Sequence, residues 1–557
     1  MTLTLLLLIP ALFAVICGFV ATKQAKLVAL VGSGITLLVT LFAFAGFNGT
    51  INGPIFQLLE QRPWFPILNI GYSLGIDGPG LLMILLTAFL TVAAVWFSLD
   101  KVTEREKEYY ALLLALEATV IGAFASLDLI LFYVFFEACL VPAYFLIGIW
   151  GGRNRVRAGT KFFVYTVVGS LVMLVSIIAL YIQTGTFNVI EIQQKLTANP
   201  LSMEAELLIF LGFAVAFAVK TGLFPFHTWL PDAYAEAPAP VTALLSGAMA
   251  KLGTFGFLRF GVMLLPDGAQ SASTFLIILA VISILYGGLV AAVQRDVKRV
   301  LAYSSISHLG FVVAGVFSGT NPGLSGATLQ MVNHGITSGM LFLMVGMLYA
   351  RRGSTNIHAL GGIWEQMPLF GRFFLIATLS SVGLPLTNGF VGEFQILLGT
   401  FQNYPVLAGI GTTGVIVSAI YMLGMFQRAM YGPVERAEVR RLSDLSPSET
   451  GLLSVFVVLV FLLGIQPGIL QHKIDGSIDT LVTHRIAPAE AVKGSVTPVP
   501  IRRPLLQRPG SPSGPSLVPS LAPTPGETTS PSPAAAVPAG PPTPPPHKGL
   551  LPPPIQE

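Results

Sequence analysis

Phe217-Ala-Val-Lys220-Thr-Gly-Leu-Phe-Pro225-Phe-His227 sets a lysine, a glycine and a proline one after another inside an apolar run. A charge at the centre of a membrane helix costs about 2.5–3.5 kcal/mol on insertion scales. Gly and Pro also free backbone hydrogen-bonding groups where no water can satisfy them. The segment reads as a broken membrane helix beside a polar interior. A second break reads Ser380-Ser-Val-Gly383-Leu-Pro385-Leu-Thr-Asn388-Gly. Interrupted helices at corresponding places in two halves point to an inverted-repeat transporter with polar groups near the midplane.

Around these breaks the chain is 53% hydrophobic and 10% charged over 557 residues. A soluble domain carries about 25% charged residues. Apolar runs of bilayer-spanning length recur from Met1 to about Leu470. The expected fold is an all-α polytopic membrane protein with about fourteen transmembrane helices. Residues 1–109 hold the first three, 110–263 a first five-helix repeat, 274–430 a second, inverted repeat, and 450–470 the last helix. Five is odd, so the second repeat must insert the other way up. The broken helix stands fourth in each repeat.

Charge supports this count. Alternate loops, beginning with that of Lys23 and Lys26, hold 19 Lys and Arg, and the opposite loops hold only Arg62 and Lys195. The positive-inside rule then places both termini on the outer face of the membrane. Residues 488–557 contain 21 of the 40 prolines and cannot form a helix or a packed core, so a disordered, polyproline-like tail is expected there. A dispensable extension suits that composition better than a partner tether. The net charge of +4 is small and dispersed, which argues against nucleic-acid binding.

Cofactor motifs are lacking. Cys17 and Cys139 are isolated in apolar runs and read as small core residues, not as iron–sulfur or zinc ligands. Gly409-Ile-Gly411-Thr-Thr-Gly414 matches a dinucleotide fingerprint but lies inside an apolar span with no strand before it. The expectation is no redox centre and no cofactor in this chain.

The chemistry then rests on intramembrane charges. Glu137, in Phe-Tyr-Val-Phe-Phe-Glu137, needs a cation, and Lys220 is a candidate. Burial penalises the charged form of each, and an ion pair offsets both penalties. Bringing Glu137 near would load a proton on Lys220; moving it away would release one. A static structural pair is the bland alternative. Lys251 follows small residues that leave room for water, which suits a relay better than a snorkelling lysine. Glu393 follows the second break and has no partner nearby in sequence. His308 and His334 fall in the spans between and would bridge Lys251 to Glu393, unless each is only a hydrogen-bonded core residue. His227, close to Trp229, Asp232 and Glu236, reads as a proton intake from the inner side or as a capped polar loop. Glu117 and Asp128 lie near span ends and are weaker candidates.

These stretches, together with Leu301-Ala-Tyr-Ser-Ser-Ile-Ser-His308 and Gly389-Phe-Val-Gly-Glu393-Phe, resemble the antiporter-like membrane subunits of respiratory complex I, the NADH-quinone oxidoreductase. The likeness covers roughly residues 1–470. Most members carry lysine in the second broken helix; the glutamate at 393 resembles the one branch that does not. The Pro-rich tail departs from the family pattern. Position by position, the resemblance implies that Glu137 modulates Lys220, Lys251 is the central lysine, His308 and His334 are the central histidines, and Glu393 is the outlet. It implies a proton-translocating subunit partnered by other membrane-arm subunits, including homologous antiporter-like chains. NADH, flavin, iron–sulfur clusters and quinone would then belong to partner subunits. The same fold also serves multisubunit cation/proton antiporters and membrane-bound hydrogenases, which stay open as alternatives.

Overall fold

The computed structural model describes residues 1–51, 53–434 and 437–483. Twelve helices among them are long and apolar enough to cross a membrane. They are α1 (Thr2–Phe19), α2 (Thr22–Gly46), α3 (Gly78–Ser98), α4 (Glu106–Ala125), α5 (Leu129–Trp150), α6 (Arg155–Thr184), α8 (Ala239–Val262), α9 (Pro266–Ala292), α10 (Val297–Val316), α11 (Asn321–Arg352), α13 (Pro405–Met430) and α14 (Pro447–Ile465). The two broken helices complete the set. α7 (Met203–Thr221) stops at the first break and resumes as Leu230–Glu236. α12 is split into α12a (Pro368–Val382) and α12b (Asn388–Asn403). The chain is a multi-pass membrane protein with the antiporter-like fold expected of it.

Both breaks end a helix in one way. Gly222 sits at φ +76° and Gly383 at φ +80°, a left-handed conformation that favours glycine. The next amide then turns back onto the helix, Leu223 to the Ala218 carbonyl and Leu384 to the Leu379 carbonyl. This is the helix-ending motif that satisfies two orphan carbonyls.

The inverted repeat has a second signature. Asp128 pairs with Asn188, and Asp296 with Asn356, as isolated antiparallel bridges. In each the flanking amides cross over: Leu129 to Phe187 and Val189 to Leu127, then Val297 to Thr355 and Ile357 to Arg295. Each latch ties the loop after the first helix of its repeat to the loop after the third. Five helices separate corresponding loops, so the latches lie on opposite faces of the membrane.

Three details refine the expected fold. The fold is not purely helical: β1 (Gln57–Phe65) and β2 (Ile70–Ile76) form an antiparallel hairpin between α2 and α3. Asn69 in a left-handed turn reverses the chain, and Leu74 and Ile76 anchor the second strand in the core. The helical region also extends past the expected end at about residue 470, because α15 (Gly468–Thr483) buries Leu470, Ile474 and Ile478. Predicted span starts fell short where polar residues open the helix, as at Pro266 and Pro447. The Pro-rich segment 488–557 lies outside the described residues.

α8 and α11 form the centre. Both are buried along their whole apolar windows, against 28% for α1. α8 is not a regular helix: Leu245–Met249 and Phe257–Val262 are π-helical and flank Lys251. Such widened turns re-aim side chains and recur at functional sites.

Candidate functional site: a buried line of lysine, histidines and glutamate

The first turn of α8 after its π segment aims Lys251 at α11. Its Nζ lies 2.7 Å from His334 Nδ1 and donates to the Ser246 carbonyl at 2.5 Å. The His334 and His308 rings follow, with centroids 5.5 Å apart. His308 Nδ1 is 2.6 Å from Glu393 Oε1, and Gln330 Nε2 donates to the same oxygen at 3.0 Å. Ser381, beside the second break, reaches His308 Nε2 at 3.4 Å. Lys251, His334, His308 and Glu393 are all buried, none above 6% exposed.

An ammonium at Lys251 donates to His334 Nδ1, which leaves that ring's proton on Nε2. A carboxylate at Glu393 accepts from His308 Nδ1 in the same manner. Each hydrogen bond can therefore pass a proton by switching donor and acceptor. The gap between the imidazoles faces a small cavity lined by Ser304, Ser305, Asn333 and Thr337. Asn333 Oδ1 and Gln330 Oε1 there are buried and have no partner among the described residues.

The other proposed pair is arranged differently. Lys220 Nζ donates to Cys139 Sγ at 3.4 Å and lies 4.5 Å from the centroid of the Phe136 ring. Among the described residues no ion pair joins it to Glu137, whose Oε1 is buried and unpartnered. Ser170 of α6 stands beside the Glu137 carboxyl. The expected close pair is thus absent from this conformation. α5 breaks at Cys139, between Leu129–Ala138 and Leu140–Trp150. That break turns the thiol, one residue beyond Ala138, toward α7.

His227 is not part of the line. It packs flat on Phe224 and edge-on to Tyr286, with Nδ1 buried and unpartnered. Its sequence neighbours serve elsewhere: Asp232 pairs with Lys161 and Arg299, and Glu236 accepts from the Asn154 amide. Asp128 is a cap that accepts from the Gly71, Ile130 and Leu131 amides. Burial pushes its carboxyl up, against those three donors. Glu117 is buried, and neither of its oxygens has a partner among the described residues.

Sequence reasoning missed one buried charge pair. Arg259 in α8 forms a two-point ion pair with Asp77 at the start of α3, donates to the Phe124 carbonyl at 2.7 Å, and stacks on Phe255. An arginine inside the last turns of a span was the available signal; its partner sits just outside a span. Gln330 and Ser246 were missed as well, because neutral polar residues in a helix give no sequence sign of what they face.

Residues 126–420 match the family model described as "NADH:quinone oxidoreductase/Mrp antiporter, TM". NADH-quinone oxidoreductase subunit M of Rhodobacter capsulatus is 41% identical over 477 residues, 84% of this chain and 92% of that one. A chain of respiratory complex I from Thermus thermophilus with bound NADH superposes with a TM-score of 0.78 at 34% identity, covering 86% of this chain and all of that one. A chain of the Mrp complex from Dietzia sp. shares the fold, with a TM-score of 0.75 at 23% identity over 86% of this chain and 52% of that one.

Proposed function

The chain belongs to the subunit M family of NADH-quinone oxidoreductases, and we propose from that premise that it carries protons from the inner to the outer side of the membrane. The movement is coupled to quinone reduction in partner subunits, which hold the NADH, flavin, iron–sulfur and quinone sites. Other membrane-arm subunits, homologous antiporter-like chains among them, flank it in a bacterial-type inner membrane, with its first residues on the outer face.

The observation that carries this reading is the near-continuous line Lys251–His334–His308–Glu393, closed at both ends by hydrogen bonds of 2.7 and 2.6 Å. Four ionisable groups in contact, buried together, are costly to maintain as packing alone. Glu137 and Lys220 act upstream. The observed contact of Lys220 with Cys139 and Phe136 is the separated arrangement of that pair, and a rearrangement of α5 and α7 reunites it. A proton then passes through Lys251 and the histidines to Glu393 for release.

Glu393→Gln tests this directly, since the amide keeps the shape and cannot take up the proton. Membrane vesicles carrying the assembled complex should show NADH-driven proton uptake reduced about tenfold or more, the size of effect typical of a lost proton-transfer group. Normal uptake would refute the relay. Sodium transport without NADH would instead favour the cation/proton antiporter alternative, which the Mrp part of the family description keeps in view.

A further inference from the structure

The second break contains a buried hydrogen-bond network that borders the relay cavity, and its central residue, Asn388, makes no hydrogen bond to the relay side chains among the described residues. Asn388 opens α12b and is fully buried. Its Oδ1 accepts from Ser380 Oγ at 2.7 Å and from Thr337 Oγ1 at 3.4 Å. Its Nδ2 donates to the Asn333 carbonyl at 3.2 Å, and Asn333 Nδ2 returns a bond to the Asn388 carbonyl at 2.8 Å. The Thr337 and Ser380 hydroxyls are 2.9 Å apart. Ser380 belongs to α12a, Asn388 to α12b, and Asn333 and Thr337 to α11. One asparagine therefore ties both halves of the broken helix to the helix that carries Gln330 and His334.

The link between those halves is strained. Leu386 is held at φ +76° with its side chain 65% exposed. A bulky residue with a Cβ rarely adopts that conformation, and it persists only where the surroundings over-determine it. The surroundings here are tight. An ideal Cβ on Gly389 would lie 2.0 Å from the Ser380 carbonyl oxygen, and one on Gly464 of α14 would lie 2.2 Å from the Leu386 carbonyl oxygen. The exposed leucine gains nothing from this arrangement; the buried network beside it does.

We infer that Asn388 is a positioning residue for Glu393. Its network holds α12b against the strained link, so that the carboxylate farther along the same half-helix meets His308 and Gln330. This inference rests on the relay reading of Glu393.

The test uses vesicles with the complete assembled complex, with NADH-driven proton uptake measured per assembled complex across the neutral pH range. Asn388→Ala should lower uptake about fivefold, the equivalent of one net buried hydrogen bond, and should change the shape of the pH profile. Leu386→Gly alone should pump normally. The double variant should regain more than half of the loss, because the strain that the network opposes is gone. Should Asn388→Ala fail to assemble, Asn388→Ser, which shortens the side chain and removes its donor to the Asn333 carbonyl, carries the same prediction. Normal uptake with an unchanged pH profile in Asn388→Ala, or no recovery in the double variant, would overturn the inference. Glu393→Gln in parallel separates the two levels. If it pumps normally, the relay reading fails and takes this inference with it. If it stops while Asn388→Ala pumps normally, only the positioning role fails.

Discussion

Lys220 rests on a thiol and an aromatic face, not on a carboxylate. The sequence made Glu137 its partner by a sound rule, that a buried charge needs an opposite one. The rule omits what a weak acceptor and a π-face can do together at a lysine that has no ion pair among the described residues. Cys139 read as inert core because its only sequence signal was an apolar run. Glu393 reverses the case: it had no partner in sequence and has two in space, His308 and Gln330. Long-range contacts of this kind are set by how helices pack, which local spacing does not encode. A prediction follows for Lys220→Arg. Guanidinium stays charged at any working pH, so it can fill the site without ever releasing a proton. Proton uptake should fall about tenfold or more while the amount of assembled complex, read on a native gel, stays the same. Uptake at the normal rate would mean that Lys220 never has to deprotonate.

At the scale of elements, the two breaks were legible because Gly and Pro act locally, and Gly222 and Gly383 adopt the left-handed turn their sequences require. The π segments of α8 and the paired latches were not legible. A π turn depends on what presses on the helix from outside, and each latch joins loops about sixty residues apart through backbone atoms that carry no side-chain code. Glycine carries two opposite meanings here. Gly389 is where α12b touches the Ser380 carbonyl, whereas nothing lies within 4 Å of a Cβ placed on Gly409. Gly389→Ala should therefore destabilise the subunit by about 1–3 kcal/mol through overpacking. Gly409→Ala should be neutral or gain up to about 1 kcal/mol of helix propensity. Thermal denaturation of the purified complex, with release of this chain as the readout, compares the two. Equal midpoints would show that the contact at Gly389 can relax. The silent result at Gly409 would also fit the reading of that glycine-rich motif as ordinary helix surface.

For the whole molecule, the decisive property is inversion, and it can be tested independently of any pumping assay. The Asp128–Asn188 latch closes the loop between α6 and α7; the Asp296–Asn356 latch closes the loop between α11 and α12. Five crossings separate these loops, so they must face opposite sides if the fold is right. Thr197 and His358 are exposed residues of the two latched loops, and the native Cys17 and Cys139 are both fully buried. A single Thr197→Cys or His358→Cys therefore supplies the one thiol of this chain that a membrane-impermeant maleimide can reach. The orientation proposed from the excess of Lys and Arg on alternate loops predicts His358 on the inner side and Thr197 on the outer side. Thr197→Cys should label in vesicles whose outer face is exposed, and His358→Cys only in inverted vesicles. Labelling of both from one side would break the inverted repeat itself. Labelling on opposite sides but exchanged would keep the repeat and reverse the direction of transport, since Glu393 would then release toward the other compartment.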